Sequence, residues 1–350
     1  MRIAHVAPLF TSVPPMKYGG IERILYWLIE EQIKAGHDVT LFASGDSKTS
    51  AKLVPACPKA LWNEEEKIDF PNVYHTIELD MLDKHIREHE FDIIHSHFNF
   101  IHYQSLHLIN TPMITTLHWR VDLKEFQDLY KYFSDAPLIA ISNSQKSFIP
   151  SANVIDVVHH GLPVQNYPVS ETPEDYIVFV GRFSPVKGPH TAIEVARRAG
   201  VKIKIASHIP IEGTDPDFEI HYYNNVIKPL LNESFVDYLG ELGEEDKNNL
   251  LSKALATVLP INWPEPFGLV FIESLLCGTP VITCPMGSAP ELIKDGLVGF
   301  LAKDIDQMVD ALHKIDKIDR KNCRIYAEKN FSTSTMAKNY ELVYKKVYET

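Results

Sequence analysis

HHGLPVQNYPVSETPEDYIVFVG, residues 159–181, is where this 350-residue chain begins its architecture a second time. Residues 159–175 are rich in Pro, Gly and polar side chains and read as a connecting stretch, whereas YIVFVG (176–181) is an apolar run of strand length. Upstream, short β-type runs recur at RIAHVA (2–7), DVTLFA (38–43), DIIHSH (92–97), PMITTLH (112–118), PLIAIS (137–142) and NVIDVV (153–158). Downstream they resume at VKIKIAS (201–207), FVDYLG (235–240), ATVLPI (256–261) and PVITC (280–284). Segments of helical period separate them, for example Ile21 to Lys34 with Ile21, Leu25, Leu28 and Ile29 on one face. Strands alternating with helices predict an α/β protein with parallel, doubly wound sheets, here two Rossmann-like halves spanning 1–165 and 166–332. A final stretch, Thr333 to Tyr348, carries Met336, Tyr340, Val343 and Val347 at spacings of three and four and predicts an amphipathic helix. The cleft between the halves is the expected place for a ligand.

Composition narrows the function. Hydrophobic residues make up 45% of the chain, ample for two packed cores. The formal net charge of -12 argues against a nucleic-acid partner or a broad anionic-lipid surface, so any anionic ligand needs local cations. Cys57, Cys277, Cys284 and Cys323 contain no C-x-x-C pair and read as reduced thiols, which with the short, Pro-broken apolar start MRIAHVAPLF predicts a cytoplasmic protein. Nowhere do 18 uninterrupted apolar residues occur, so no transmembrane segment is expected and any membrane contact is peripheral.

Four segments carry chemistry. In PEPFGLVFIE (264–273), Glu265 and Glu273 bracket an apolar run, with Gly268 where a helix should begin. A helix N-terminus offers unpaired N–H groups and a positive dipole end to phosphate or sugar oxygens, and carboxylates accept from sugar hydroxyls. The same spacing also describes a buried amphipathic helix with one solvated Glu. In GRFSPVKG (181–188), Arg182 and Lys187 follow a strand, where two cations can straddle a diphosphate; a pair of solvated surface charges is the alternative. Gly19 and Gly20 lie in the first strand-to-helix turn, after a proline-bearing loop suited to shaping an acceptor pocket. His118 closes the run 112–118 at a strand's carboxyl end, placed either to bond a sugar or to be satisfied by backbone. His95 and His97 share one strand face, but no carboxylate or cysteine completes a coordination set, so no metal site is read there. His159 and His160 fall in the connecting stretch. Neither G-x-x-x-x-G-K-[ST] nor G-x-S-x-G occurs.

Taken in order, these motifs resemble the retaining glycosyltransferases of family 4, which have the GT-B fold. The resemblance covers nearly the whole chain and rests on the E-x7-E element Glu265–Glu273, ESLLCGTPVI (273–282), GSAPELIKDGLVGFL (287–301), YGGIER (18–23), TTLHW (115–119), VVHHGL (157–162) and GRFSPVKG (181–188). It implies two Rossmann-like domains facing across a cleft, the first completed by the C-terminal helix 333–350. It also implies a nucleoside-diphosphate sugar as donor substrate and no further cofactor. Glu273 would bind the ribose hydroxyls, while Glu265 and the amides of Phe267, Gly268 and Leu269 hold the donor sugar, with Val270 a further amide to phosphate. Arg182 and Lys187 would neutralise the diphosphate in place of a metal. Gly20 would supply a backbone donor, His118 would lie beside the sugar, and Gly240 and Glu241 would lie near the nucleobase.

The activity expected from this resemblance is metal-independent transfer, with retention, from a UDP- or GDP-sugar to a hydroxyl of a carbohydrate, lipid-linked or small-molecule acceptor. Two other readings share the fold: a nucleotide-sugar epimerase and a catalytically silent nucleotide-sugar binding protein. Acceptor contacts are expected within residues 8–18 and 60–75.

Overall fold

Runs of Ile, Val, Leu and Phe without interior Gly or Pro set most of the strands in the computed structural model, which describes residues 1–16, 19–62, 68, 70–98, 100–103, 109–209 and 216–349. Parts of the expected acceptor-side loops, residues 17–18, 63–67 and 69, lie outside the described residues, as does Tyr18 of YGGIER.

The chain divides into two compact units, Met1–Leu162 with Thr333–Thr350, and Pro163–Ser332. In unit 1, β1 (Arg2–Val6), β2 (Asp38–Ser44), β3 (Lys52–Cys57), β4 (Ile93–Ser96), β5 (Met113–Thr116), β6 (Leu138–Ala140) and β7 (Val154–Val157) form a sheet. Its order is β3-β2-β1-β4-β5-β6-β7 and every pairing is parallel. In unit 2, β8 (Tyr176–Val180), β9 (Lys202–Ala206), β10 (Val236–Tyr238), β11 (Thr257–Leu259), β12 (Val281–Thr283) and β13 (Gly299–Leu301) follow the order β10-β9-β8-β11-β12-β13, again all parallel. β4, β5, β6, β8 and β11 are buried along their whole length, as expected of parallel strands covered by helices on both faces.

Strand order reverses between β1 and β4 in the first sheet and between β8 and β11 in the second. In parallel α/β sheets, loops leaving the strands on either side of such a reversal diverge to opposite faces and border the usual ligand crevice at the strands' carboxyl ends. That topology makes the segments after β1, β4, β8 and β11 the natural places for ligand chemistry.

β3 and β13 are additional to the strands read from sequence. Pro55 sits inside β3, and the register slips between Ala43 and Ser44 of its neighbour; an edge strand tolerates both. β13 is three residues at the opposite edge. The C-terminal helix, Thr333–Tyr348, belongs to unit 1 and buries Met336, Tyr340 and Val343, joined by Tyr344, whereas Val347 is half-buried. Among the described residues no helix is long and apolar enough to cross a membrane.

Candidate functional site

The switch point of the second sheet gathers most of the charged candidates. After β8 the chain makes a single 3-10 turn at Pro185–Lys187 and enters the helix Pro189–Ala199. Gly188, at φ +72°, turns it: a Cβ there would lie 2.2 Å from the carbonyl oxygen of Pro260, just beyond β11. Only glycine allows this approach. The amide of Asn262 donates to the carbonyl of Val186 at 3.0 Å and ties the two loops further.

The result is contact between residues remote in sequence. Lys187 Nζ forms an ion pair with Glu265 Oε2, and Trp263 Nε1 donates to the same oxygen at 2.9 Å. Lys187 Nζ also stands 5.0 Å from the centre of the Trp263 ring. The backbone of Glu265 is held on both sides, its N–H donating to Trp263 at 2.8 Å and its carbonyl accepting from Ser288 at 2.9 Å. Both side-chain contacts use Oε2, and among the described residues none donates to Oε1. The carboxylate is therefore fixed in direction while keeping one oxygen for a hydroxyl.

Gly268, at φ +84°, precedes the helix Leu269–Leu276 and sets its start where the sequence predicts it. The first-turn amides, including Leu269 and Val270, have no acceptor within the helix and point with the positive end of its dipole. Phe267 is buried, its carbonyl accepting from Ser288 Oγ at 2.6 Å. One turn into the helix, buried Glu273 accepts from Lys247 Nζ at 2.6 Å, the lysine coming from the helix Glu244–Lys253. Arg182 Nη1 lies 3.5 Å from Oε1 of buried Glu219, on the helix Pro216–Tyr222. Gly240, at φ +72°, follows β10, and its carbonyl accepts from Ser207 at 2.9 Å; Glu241 is exposed.

Arg182 and Lys187 thus each face a carboxylate rather than standing as free cations. Glu219, Lys247 and Trp263 are the residues that sequence reading missed. Trp263 had a signal, an indole N–H two positions before Glu265. Glu219 and Lys247 had none, because helix packing alone brings them to Arg182 and Glu273.

In unit 1, Gly20 opens the helix Gly20–Lys34 directly after Gly19. Glu22, in its first turn, is buried, and burial pushes its carboxyl up to about 7. His118 follows β5, is half-buried, and stacks on His160 with ring centres 5.3 Å apart. His160, in the connecting stretch read from sequence, is buried. His118 Nε2 lies 3.0 Å from His97 Nδ1, and its own Nδ1 is buried with no hydrogen-bond partner among the described residues. Burial lowers its pKa to about 3.

The β1–β4 register sets His5 beside His95, adding a third imidazole that sequence spacing did not reveal. One nitrogen each of His5, His95 and His97 falls within 4.8 Å of the others, a spacing at which imidazoles can share a metal ion. Here all six ring nitrogens already have hydrogen-bond partners. His5 bonds Gln32 and His97, His95 bonds Tyr344 and Thr116, and His97 bonds His5 and His118, at 2.7–3.0 Å.

Two family profiles match consecutive parts of the chain, Glycosyltransferase Family 4 over residues 18–169 and Glycosyl transferases group 1 over residues 166–330. The O-antigen chain mannosyltransferase C of Escherichia coli is 24% identical, with 100% of both chains covered. Among solved structures, sucrose-phosphate synthase from Thermosynechococcus elongatus superposes with a TM-score of 0.81 at 16% identity, covering 99% of each chain. The Anabaena protein HepE, crystallised with UDP and glucose, superposes with a TM-score of 0.73 at 17% identity, covering 98% of this chain and 99% of its own.

Proposed function

Because the chain is a glycosyltransferase of the family 4 type with the GT-B fold, we propose that it moves a sugar from a nucleoside-diphosphate sugar, UDP- or GDP-linked, to a hydroxyl acceptor, with retention and without a metal ion. The acceptor classes we propose are a carbohydrate, a lipid-linked glycan or a small molecule. One observation carries the reading: Lys187 from the β8 loop meets Glu265 from the β11 loop beside the N-terminus of the helix Leu269–Leu276.

Breaking the anomeric C–O bond leaves a diphosphate whose negative charge grows toward the transition state, so cations and helix dipoles fixed beforehand lower the barrier. Lys187 has three donors and can bridge Glu265 and a phosphate oxygen together. Arg182 can turn its fork from Glu219 to the diphosphate, and the amides of Gly268, Leu269 and Val270 lie where the dipole favours anions. Glu265, its Oε2 held by Trp263, would offer Oε1 to a sugar hydroxyl. Glu273 would take the ribose hydroxyls, sharing its negative charge with Lys247. Each carboxylate of the site neutralises a cation, so donor binding exchanges partners rather than burying unpaired charge.

A panel of UDP-, GDP- and ADP-sugars with candidate acceptors, assayed for nucleoside diphosphate release in excess chelator, tests the reading. Release that persists in chelator, with a product of the donor's anomeric configuration, supports it. Chelator-sensitive release overturns metal independence, and an inverted product overturns retention.

A further inference from the structure

Behind His118 runs a hydrogen-bonded chain that the proposed donor site does not absorb. Gln32 Nε2 donates to Tyr344 Oη at 2.9 Å, and its Oε1 faces His5 Nε2 at 2.7 Å. His5 Nδ1 faces His97 Nε2 at 3.0 Å, and His97 Nδ1 faces His118 Nε2 at 3.0 Å. Gln32, His5, His97 and Tyr344 are fully or almost fully buried.

A neutral imidazole has one N–H and one lone pair, so each bond in such a row dictates the next. Gln32 Oε1 can only accept, which puts the His5 proton on Nε2. His5 Nδ1 must then accept from His97 Nε2–H, and His97 Nδ1 from His118 Nε2–H. The row leaves a lone pair on His118 Nδ1, the ring nitrogen with no partner among the described residues.

We propose that Gln32, His5 and His97 are positioning residues that lock His118 as its Nε2–H tautomer, so that His118 Nδ1 accepts a hydrogen bond from a sugar hydroxyl of the substrate. This rests on the proposed sugar-transfer reading for the identity of the hydroxyl, but the tautomer lock stands on unit 1 alone. Burial favours the neutral rings the lock requires: it lowers His5 to about 4, His118 to about 3, and His97 well below its ordinary value. An unpartnered buried acceptor is costly, and a ligand hydroxyl would recover that cost only in the bound state.

The test is nitrogen-15 NMR of histidine-labelled full-length protein, with and without the sugar nucleotide it turns over. The lock predicts Nε2–H tautomers at His5, His97 and His118 in the free protein, and a donor-dependent shift confined largely to His118 Nδ1. His97→Leu should release His118 to a tautomer mixture and lower kcat about tenfold with little change in donor KM. His97→Gln should restore both, because an amide can donate to His5 Nδ1 and accept from His118 Nε2–H. An Nδ1–H tautomer at His118 in wild type, or His97→Leu with unchanged tautomer and kcat, overturns the proposal. So does stoichiometric zinc uptake that shifts His5, His95 and His97 together. If no sugar nucleotide is turned over, the sugar-transfer reading fails, while the spectra of the free protein still decide the lock.

Discussion

Two contacts to one oxygen give Glu265 its direction, and they can be separated. Trp263→Phe keeps the ring beside Lys187 but removes the N–H that donates to Oε2. A hydrogen bond to a charged group contributes about 1.5–3 kcal/mol. The expected outcome is a roughly tenfold or greater fall in kcat/KM for the donor, with the unfolding free energy of unit 2 lowered by no more than about 3 kcal/mol; steady-state kinetics with a urea melt checks it. Lys187→Ala removes the ion pair and the proposed phosphate partner together, so it should weaken nucleoside diphosphate binding more than Trp263→Phe does, read by calorimetric titration. Gly188→Ala acts through backbone instead. With φ at +72° and the Pro260 carbonyl 2.2 Å from the new Cβ, it should destabilise unit 2 by about 2 kcal/mol or more, seen as an earlier urea transition.

Among the elements, the C-terminal helix is the most informative. It crosses the sequence from the end of unit 2 to complete unit 1, and Tyr344 joins it to Gln32 and His95 by two buried hydrogen bonds. Tyr344→Phe leaves both partners unsatisfied and should cost unit 1 about 2–4 kcal/mol, whereas Leu342→Ala, on the exposed face, should stay within about 0.5 kcal/mol. Denaturant midpoints of the two variants decide it. The helix was readable from the spacing of Met336, Tyr340 and Val343, because period 3.6 survives whatever the partner. The parallel strands were readable for a similar reason: burial on both faces makes them nearly continuous apolar runs, as in YIVFV of β8. β3 was not, since Pro55 and its half-exposed residues break the pattern at a sheet edge. Site residues divide the same way. Glu265 and Lys187 lie in motifs beside glycines with backbone roles, while Glu219, Lys247 and His5 reach their partners through helix packing and strand register, which no local spacing encodes.

At the level of the molecule, the two units differ in how they hold histidine. His5, His75, His95, His97, His102, His118 and His160 all lie in unit 1, and burial lowers the pKa of each, to about 4 for His5 and His75 and about 3 for His102 and His118. Unfolded histidine titrates near 6.5, so below that pH the unfolded chain binds protons that the folded unit refuses. Their stability is complete above about pH 6.5 and is lost as pH falls toward 4. An isolated ring lowered to about 4 accounts for on the order of 3 kcal/mol at that limit, and rings in contact contribute less than additively. Glu22 and Glu78 oppose this, because burial raises both carboxyls and their folded forms prefer the proton as pH falls. Two carboxyls cannot offset seven imidazoles between pH 6.5 and 4.5, so acid should unfold unit 1 first. Trp27, Trp62 and Trp119 report on unit 1 and Trp263 on unit 2. In urea melts followed by fluorescence, with Trp263→Phe isolating unit 1 and a triple Trp→Phe variant isolating unit 2, the unit 1 midpoint should drop steeply from pH 7 to pH 5 while that of unit 2 moves little. Equal drops in both units would mean that the acid sensitivity does not come from these histidines.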